Sequence, residues 1–236
     1  MEEYHKDMLV LVLVGLIAIE VGGLLLSFSI AIALAGGADY LAEHGLTLEN
    51  VVRFFVENPM ALGLALLISH IFITLTRTYI VVRYSHKHGL SWHEQLKGFC
   101  RLDRTRLLRF SLVLALVLAL ELPTTLFSGA PQAYEEYRFY VGLGTGALGY
   151  ALALAYYLAE GLWLAAALEL CSLRARWGGL AALLVAWAPF HLLRPWGIDV
   201  VNFLWALATS VMLELSRRAS RNTAAVLALW MVIVLI

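Results

Sequence analysis

Five ionisable side chains stand where apolar sequence should carry none. Glu20, His70, Glu121, Glu160 and His191 each interrupt a stretch built otherwise of Leu, Ala, Val, Ile and aromatic residues. At the centre of a bilayer-spanning helix such a group costs about 2.5–3.5 kcal/mol or more, so it must face protein or water and marks a functional hypothesis by default. Carboxylates and imidazoles gathered together can activate water by acid/base chemistry, ligate a metal, carry protons or ions, or hold a haem. The best-defined pair is Glu160, within Tyr156-Tyr157-Leu158-Ala159-Glu160-Gly161-Leu162-Trp163, and His191, within Ala188-Pro189-Phe190-His191. Both lie on consecutive predicted helices joined by the short connection 172–179, so an antiparallel hairpin brings them to one depth. A hydrolytic site needs a base and a donor for a developing oxyanion, and Glu160 and His191 can fill those roles.

Composition defines the elements that must hold these residues. The chain has 236 residues, 61% of them hydrophobic and 14% charged, with a mean hydropathy of +0.80, whereas a soluble domain runs nearer half apolar and a quarter charged. These values imply a multi-pass integral membrane protein whose first partner is the lipid bilayer. A formal net charge of zero creates no global field to attract nucleic acid, and no nucleic-acid partner is expected. Cys100 and Cys171 lack CxxC spacing, which argues against a disulfide framework or a thiol-ligated metal. The acidic N-terminus lacks the basic region of a signal peptide and reads as the start of a retained first helix.

A spanning helix needs about 20 predominantly apolar residues. Seven stretches approach or exceed that length, near 8–35, 59–82, 107–128, 139–171, 179–196, 198–215 and 223–236. The expected fold is therefore all-α, a polytopic transmembrane helix bundle of about seven spans forming a single domain over 1–236, with six spans plus a partial one as the alternative. Arg83, Lys87, Lys97, Arg101, Arg104, Arg106 and Arg109 fall in one connection, Arg174 and Arg176 in another, and Arg217, Arg218 and Arg221 in a third. The intervening connections carry Asp39, Glu43, Glu49 and Glu57, then Glu135 and Glu136. Basic residues are retained on the cytoplasmic side, which places the N-terminus in the cytosol. Two connections read as helices: an outer interfacial one near 47–57, opened by Thr47, and an inner amphipathic one near 91–106, with Ser91 and Glu94 at capping-box spacing. Trp92, Leu96 and Phe99 share a face of the second, which either anchors its loop to the inner leaflet or docks a cytosolic or membrane partner.

Depth and helical phase gather the polar residues. Counted from the basic boundaries, Glu20, Glu121, Glu160 and His191 each come roughly 12 residues in, about 18 Å at 1.5 Å per residue, and His70 falls at a similar level. Gly142, Gly146, Gly149, Ala153 and Glu160 point within about 40° of one another if the fourth stretch is one helix, and Gly142 with Gly146 makes a small-xxx-small pattern for close helix contact. Gly63, His70, Thr74 and Arg77 share a second face, Glu20, Gly23 and Ser27 a third, Glu121, Thr125 and Ser128 a fourth, and Asp199, Asn202 and Thr209 a fifth. One polar centre is expected, with Glu20, His70, Arg77, Glu121 and Asn202 around Glu160 and His191. The plainer reading is that these groups hold helices together through hydrogen bonds worth about 0.6–2 kcal/mol each.

The segment from Ala159-Glu160-Gly161-Leu162-Trp163 through Leu173-Arg174-Ala175-Arg176-Trp177 to Trp187-Ala188-Pro189-Phe190-His191 resembles the core of the CAAX-protease and bacteriocin-processing intramembrane proteases. That resemblance spans about 35 residues and implies that Glu160 activates water while His191 helps bind the intermediate. The family's paired glutamates are here Ala159-Glu160, its Phe-Arg-Gly is absent, and the last stretch lacks its second histidine and its asparagine. Glu135-Glu136 followed by Arg138 imitates the family motif by letter but falls in an outer loop, where a solvated charge cluster is expected. Two other classes fit the same residues. Buried carboxylates with Arg77 could line a proton or ion path, with broken helices at Pro123 and Pro189, and the chain could instead be a scaffold or subunit of a complex. The substrate would then be a membrane peptide, a lipid or an ion. His70 with His191 could ligate haem b, and His86, His88 and His93 could hold a divalent metal; hydrogen-bonded core histidines and a solvated loop are the alternatives.

Overall fold

Runs of Leu, Ala and Val make the helices of this chain, and short polar residues decide where several of them begin. The structure is a computed structural model that describes residues 2–173, 175–194 and 197–236. Arg174, Trp196 and the side chain of Ser128 lie outside the described residues, as do the expectations that rest on them. Eleven helices follow in order: α1 (Glu2–Leu34), α2 (Gly37–His44), α3 (Leu48–Glu57), α4 (Pro59–Lys87), α5 (Trp92–Phe99), α6 (Arg104–Ser128), α7 (Gln132–Gly142), α8 (Gly146–Ser172), α9 (Gly178–Leu192), α10 (Val200–Ser220) and α11 (Thr223–Leu235). A two-residue antiparallel hairpin, β1 (Leu193–Arg194) with β2 (Gly197–Ile198), joins α9 to α10. Thr47, Ser91, Asp103, Asp199 and Asn222 each accept the backbone N–H three residues on, which satisfies one orphan donor at the start of α3, α5, α6, α10 and α11.

Among the described residues, α1, α4 and α8 are long and apolar enough to cross a membrane. The shortest of them, α8, has 27 residues and measures about 40 Å at 1.5 Å per residue, more than a hydrocarbon core of about 30 Å. Their outward faces and that of α6 expose Leu25, Leu75, Leu148 and Leu112, as a lipid-facing surface would. The central element is α8, whose Ala159, Trp163, Leu164, Ala165, Ala166, Ala167 and Leu168 are buried among α4, α7, α9 and α11.

The expected stretch 139–171 is two helices rather than one. Gly144 (φ 75°) and Gly146 (φ 53°) turn the chain through the left-handed region between α7 and α8, a conformation that side chains with a Cβ resist. Gly142 therefore does not share a helical face with Glu160, and a Cβ on Gly142 or Gly146 would meet nothing within 4 Å. Close helix contact is made elsewhere, by Gly161 against Trp230 and by Gly179 against the backbone of Leu168. Other boundaries also move. The inner amphipathic helix ends at Phe99, because Asp103 caps a new helix, and the fifth stretch ends as a helix at Leu192 before the hairpin. α6 runs unbroken through Pro123.

The two short helices α3 and α5, expected at the membrane interfaces, turn apolar side chains into the protein. Phe54 and Phe55 of α3 are buried, with Phe55 packed edge-on against Phe28 at 4.8 Å between ring centres. Gln95 of α5 caps α11, its Oε1 accepting from Thr223 N at 2.8 Å, while Trp92 donates to Ser85 Oγ at 3.2 Å. Glu136 departs from the expected solvated cluster: it is half-buried on α7 and accepts from the Tyr157 hydroxyl at 2.8 Å. Glu135 remains exposed and pairs with Arg138.

The glycine contacts give a direct test of this packing. Gly179→Ala forces a methyl against main-chain atoms of α8 that cannot rotate away and is expected to cost about 1–3 kcal/mol. Gly22→Ala, in open space on α1, should be neutral or slightly stabilising. Thermal unfolding of the two variants in detergent is the measurement.

Candidate functional site

The site is built outward from an arginine that has no exposed surface. Arg77, on α4, points at the stretch Val10–Ala18 of α1, which is wound as a π-helix. A π-helix closes its hydrogen bonds five residues apart instead of four, and each carbonyl keeps a second lone pair for another donor. Arg77 Nε donates to one, Gly15 O, at 3.3 Å, and Trp163 Nε1 of α8 donates to another, Leu11 O, at 2.8 Å. Gly15 is required by the same contact, since a Cβ there would lie 2.9 Å from Trp163 Nε1. Arg77 Nη2 donates to Glu20 Oε2 in a short ion pair, and the Tyr156 hydroxyl donates to Glu20 Oε1 at 2.7 Å. The guanidinium also lies 5.4 Å from the centre of the Tyr156 ring. Three helices are thus tied to one charge pair.

One turn along α8 from Tyr156, Glu160 opens onto a cavity of about 930 Å³. Only 6% of the residue is exposed. Its Oε1 accepts from Trp187 Nε1 at 2.8 Å, and Oε2 takes no hydrogen bond among the described residues. His191, one turn beyond Trp187 on α9, packs its ring at 4.4 Å from the Trp187 ring and sets Nδ1 3.3 Å from Trp187 O. α9 is irregular here: Leu183–Trp187 is π-helical and Ala188–Leu192 is 3-10. Pro189 accounts for the change, because it has no N–H to continue the ladder and its ring crowds the carbonyl four residues back.

Five residues singled out in the sequence, Glu20, Glu121, Glu160, His191 and Asn202, line this one cavity. Glu121 Oε1 accepts from Trp205 Nε1 at 3.0 Å. Arg77 stands behind the wall on Glu20. His70 is placed apart: its ring meets Tyr140 and Tyr156, with the Tyr140 hydroxyl 3.5 Å from a ring nitrogen. It therefore reaches the cavity only through Tyr156, and His70 and His191 do not face each other across it as a haem would require. Asp199, expected only as part of a helix face, also lines the cavity and caps α10. Sequence reasoning missed the indoles of Trp187, Trp205 and Trp230, which line the cavity while donating to Glu160, Glu121 and Tyr157 O. Their signal in the sequence was tryptophan on the fifth, sixth and seventh stretches, which meet Glu160 and Glu121 from other helices. Among the described residues no three His, Cys, Asp or Glu side chains are placed to hold a metal, and His88 of the His86, His88, His93 group pairs with Asp7 at 3.0 Å.

The arrangement can accept a proton at Glu160, hold an oriented imidazole beside it, and keep a fixed ion pair behind both. Removing one member of a buried pair costs about 3–5 kcal/mol because it strands the other. Arg77→Met alone should therefore lower the unfolding midpoint in detergent steeply, and Arg77→Met with Glu20→Leu should recover much of the loss. Additive losses across that double-mutant cycle would mean the pair is not coupled. No protein-family profile, curated protein or solved structure matches this chain, so the reading of the site rests on its geometry.

Proposed function

We propose that this chain is a multi-pass integral membrane protein that hydrolyses a substrate within the bilayer, using Glu160 and His191. In this reading α1, α4, α6, α8, α9, α10 and α11 correspond to the seven expected spans, and the basic connections set the N-terminus in the cytosol. The observation that carries the proposal is that Glu160 and His191 line one cavity and are fixed to each other through Trp187.

The chemistry follows from the atoms left available. With Oε1 held by the Trp187 indole, Glu160 Oε2 takes a proton from water as the hydroxide attacks a carbonyl, and the same proton later passes to the leaving group. A backbone carbonyl only accepts, so His191 Nδ1 carries the hydrogen that faces Trp187 O. The neutral ring then presents a lone pair at Nε2, and only the imidazolium presents N–H there. His191 therefore stabilises the oxyanion in its protonated form. The resemblance to CAAX-type intramembrane proteases supports the same two roles.

A second reading has its own support. Glu20, Glu121, Glu160 and Asp199 bring four carboxylates to the cavity, and its described lining includes no Lys or Arg, which suits passage of protons or cations. A scaffold role draws on less, because α5 packs Trp92 and Phe99 inward and leaves Leu96, 52% exposed, as its outward apolar residue.

Reconstituted protein separates these readings. If hydrolysis is correct, cleavage of transmembrane-peptide and fluorogenic phospholipid substrates should fall by about 10²-fold or more in Glu160→Gln and in His191→Ala; full activity in both would refute it. Proton flux into proteoliposomes that disappears in Glu20→Gln or Glu121→Gln would instead establish the second reading.

A further inference from the structure

A second polar pocket, of about 400 Å³, lies at the other end of α10 from the cavity and is lined by Glu169, Arg176, Arg217, Arg218 and Arg221. Asn202 and Arg217 are separated by about 22 Å of helix, so the two sites share no wall.

The charges in this pocket are arranged in two tiers. Glu214 is buried and takes Arg217 as a two-point fork, Nε to Oε2 at 2.8 Å and Nη2 to Oε1 at 3.1 Å. It also takes Arg218 Nε at 2.5 Å, and Glu169 Oε2 accepts from Arg217 Nη1 at 3.1 Å. Arg218 is fixed further by the ring of Trp177 at 3.5 Å and by Arg176 O at 2.8 Å. Glu214 thus holds both Arg217 and Arg218, and Glu169 adds a second hold on Arg217. Arg176 and Arg221 have no acidic partner among the described residues, and four guanidinium groups stand against two carboxylates. Trp177, 54% exposed, stacks on Arg218 of the pocket, and Leu173, 56% exposed, follows Glu169 by one turn at the end of α8.

We propose that this pocket binds a phosphate group, carried on the headgroup of an anionic phospholipid or on a soluble phosphate. Guanidinium forks match phosphate oxygens two at a time, and a phosphate neutralises the charge that Glu169 and Glu214 leave over. A basic pocket between helices at the end rich in Arg and Lys suits an anionic headgroup, with Trp177 and Leu173 placed against its glycerol and acyl portions. The site is independent of the chemistry in the cavity.

The test uses the full chain purified in detergent. Retention of phosphatidylglycerol against phosphatidylcholine is measured by native mass spectrometry, and inorganic phosphate is titrated calorimetrically. Arg176→Gln with Arg221→Asn removes the two unpaired cations while leaving the Glu214 fork intact; asparagine tolerates the left-handed backbone at 221. Arg101→Gln with Arg109→Gln removes the same charge from exposed positions elsewhere at this end. The proposal expects phosphatidylglycerol or phosphate to bind the wild type and to weaken by about tenfold or more in the first variant, with little change in the second. Lipid retention alone assigns the headgroup as the source, and phosphate binding alone assigns a soluble one. Equal weakening in both variants would show diffuse surface attraction and overturn the site, as would absence of both ligands from the wild type.

Discussion

Burying the Arg77 guanidinium without any exposed surface is the constraint on which the site depends, because each of its donors must find a partner inside the protein or go without. Those partners come from different elements: Glu20 and Gly15 O from α1, and the Tyr156 ring from α8. Only one register of α1, α4 and α8 satisfies them together. Glu160 follows Tyr156 by one turn on α8, so the pair that fixes the register also fixes which way Glu160 faces. Nη1 of Arg77 is left without a hydrogen bond among the described residues, which makes the Coulombic pairing with Glu20 the more important to its burial.

Helical irregularity serves the same end in two places. A helical carbonyl has two lone pairs, and the second can take a donor from a neighbouring helix. In the π stretch of α1, Leu11 O and Gly15 O accept from Trp163 and Arg77, and in the 3-10 turn of α9, Trp187 O lies within reach of His191. Each departure from ideal winding lies beside a residue of the polar centre. The three tryptophans then complete the wall, each donating its single N–H to an acceptor on another helix and thereby orienting a carboxylate or closing a helix contact.

Much of this was legible in the sequence, for physical reasons that can be named. Counting residues from the basic connections rests on the uniform rise of a helix, and Glu20, Glu121, Glu160 and His191, which it groups, line one cavity. His70, grouped with them by the same count, turns instead toward Tyr140 and Tyr156 on other helices. Phase failed at Gly142, since a 3.6-residue period holds only while the helix continues, and Gly144 and Gly146 end it. Hydropathy registers neither that turn nor the π windings, because left-handed glycine and an extra residue per turn leave the apolar composition unchanged. Thr47, Ser91, Asp103, Asp199 and Asn222 were readable as caps in type, but which apolar face each capped helix buries, as with Phe54 and Phe55 on α3, is decided by tertiary contact.

The two polar sites use buried carboxylates in opposite ways. Around the cavity, the Trp187 and Trp205 indoles donate to Glu160 and Glu121, while the Tyr156 phenol and the Arg77 guanidinium donate to Glu20. In the pocket at the far end of α10, Glu214 accepts from both Arg217 and Arg218 and Glu169 accepts from Arg217, so guanidinium groups outnumber carboxylates. α10 carries both, with Asp199, Asn202 and Trp205 near its start and Glu214, Arg217 and Arg218 near its end. A helix polarised in this way has a preferred direction in a membrane with an anionic inner face, because the guanidinium end gains from the surface potential while the acidic end avoids it. The charge asymmetry of α10 is therefore built from the same residues that line its two sites.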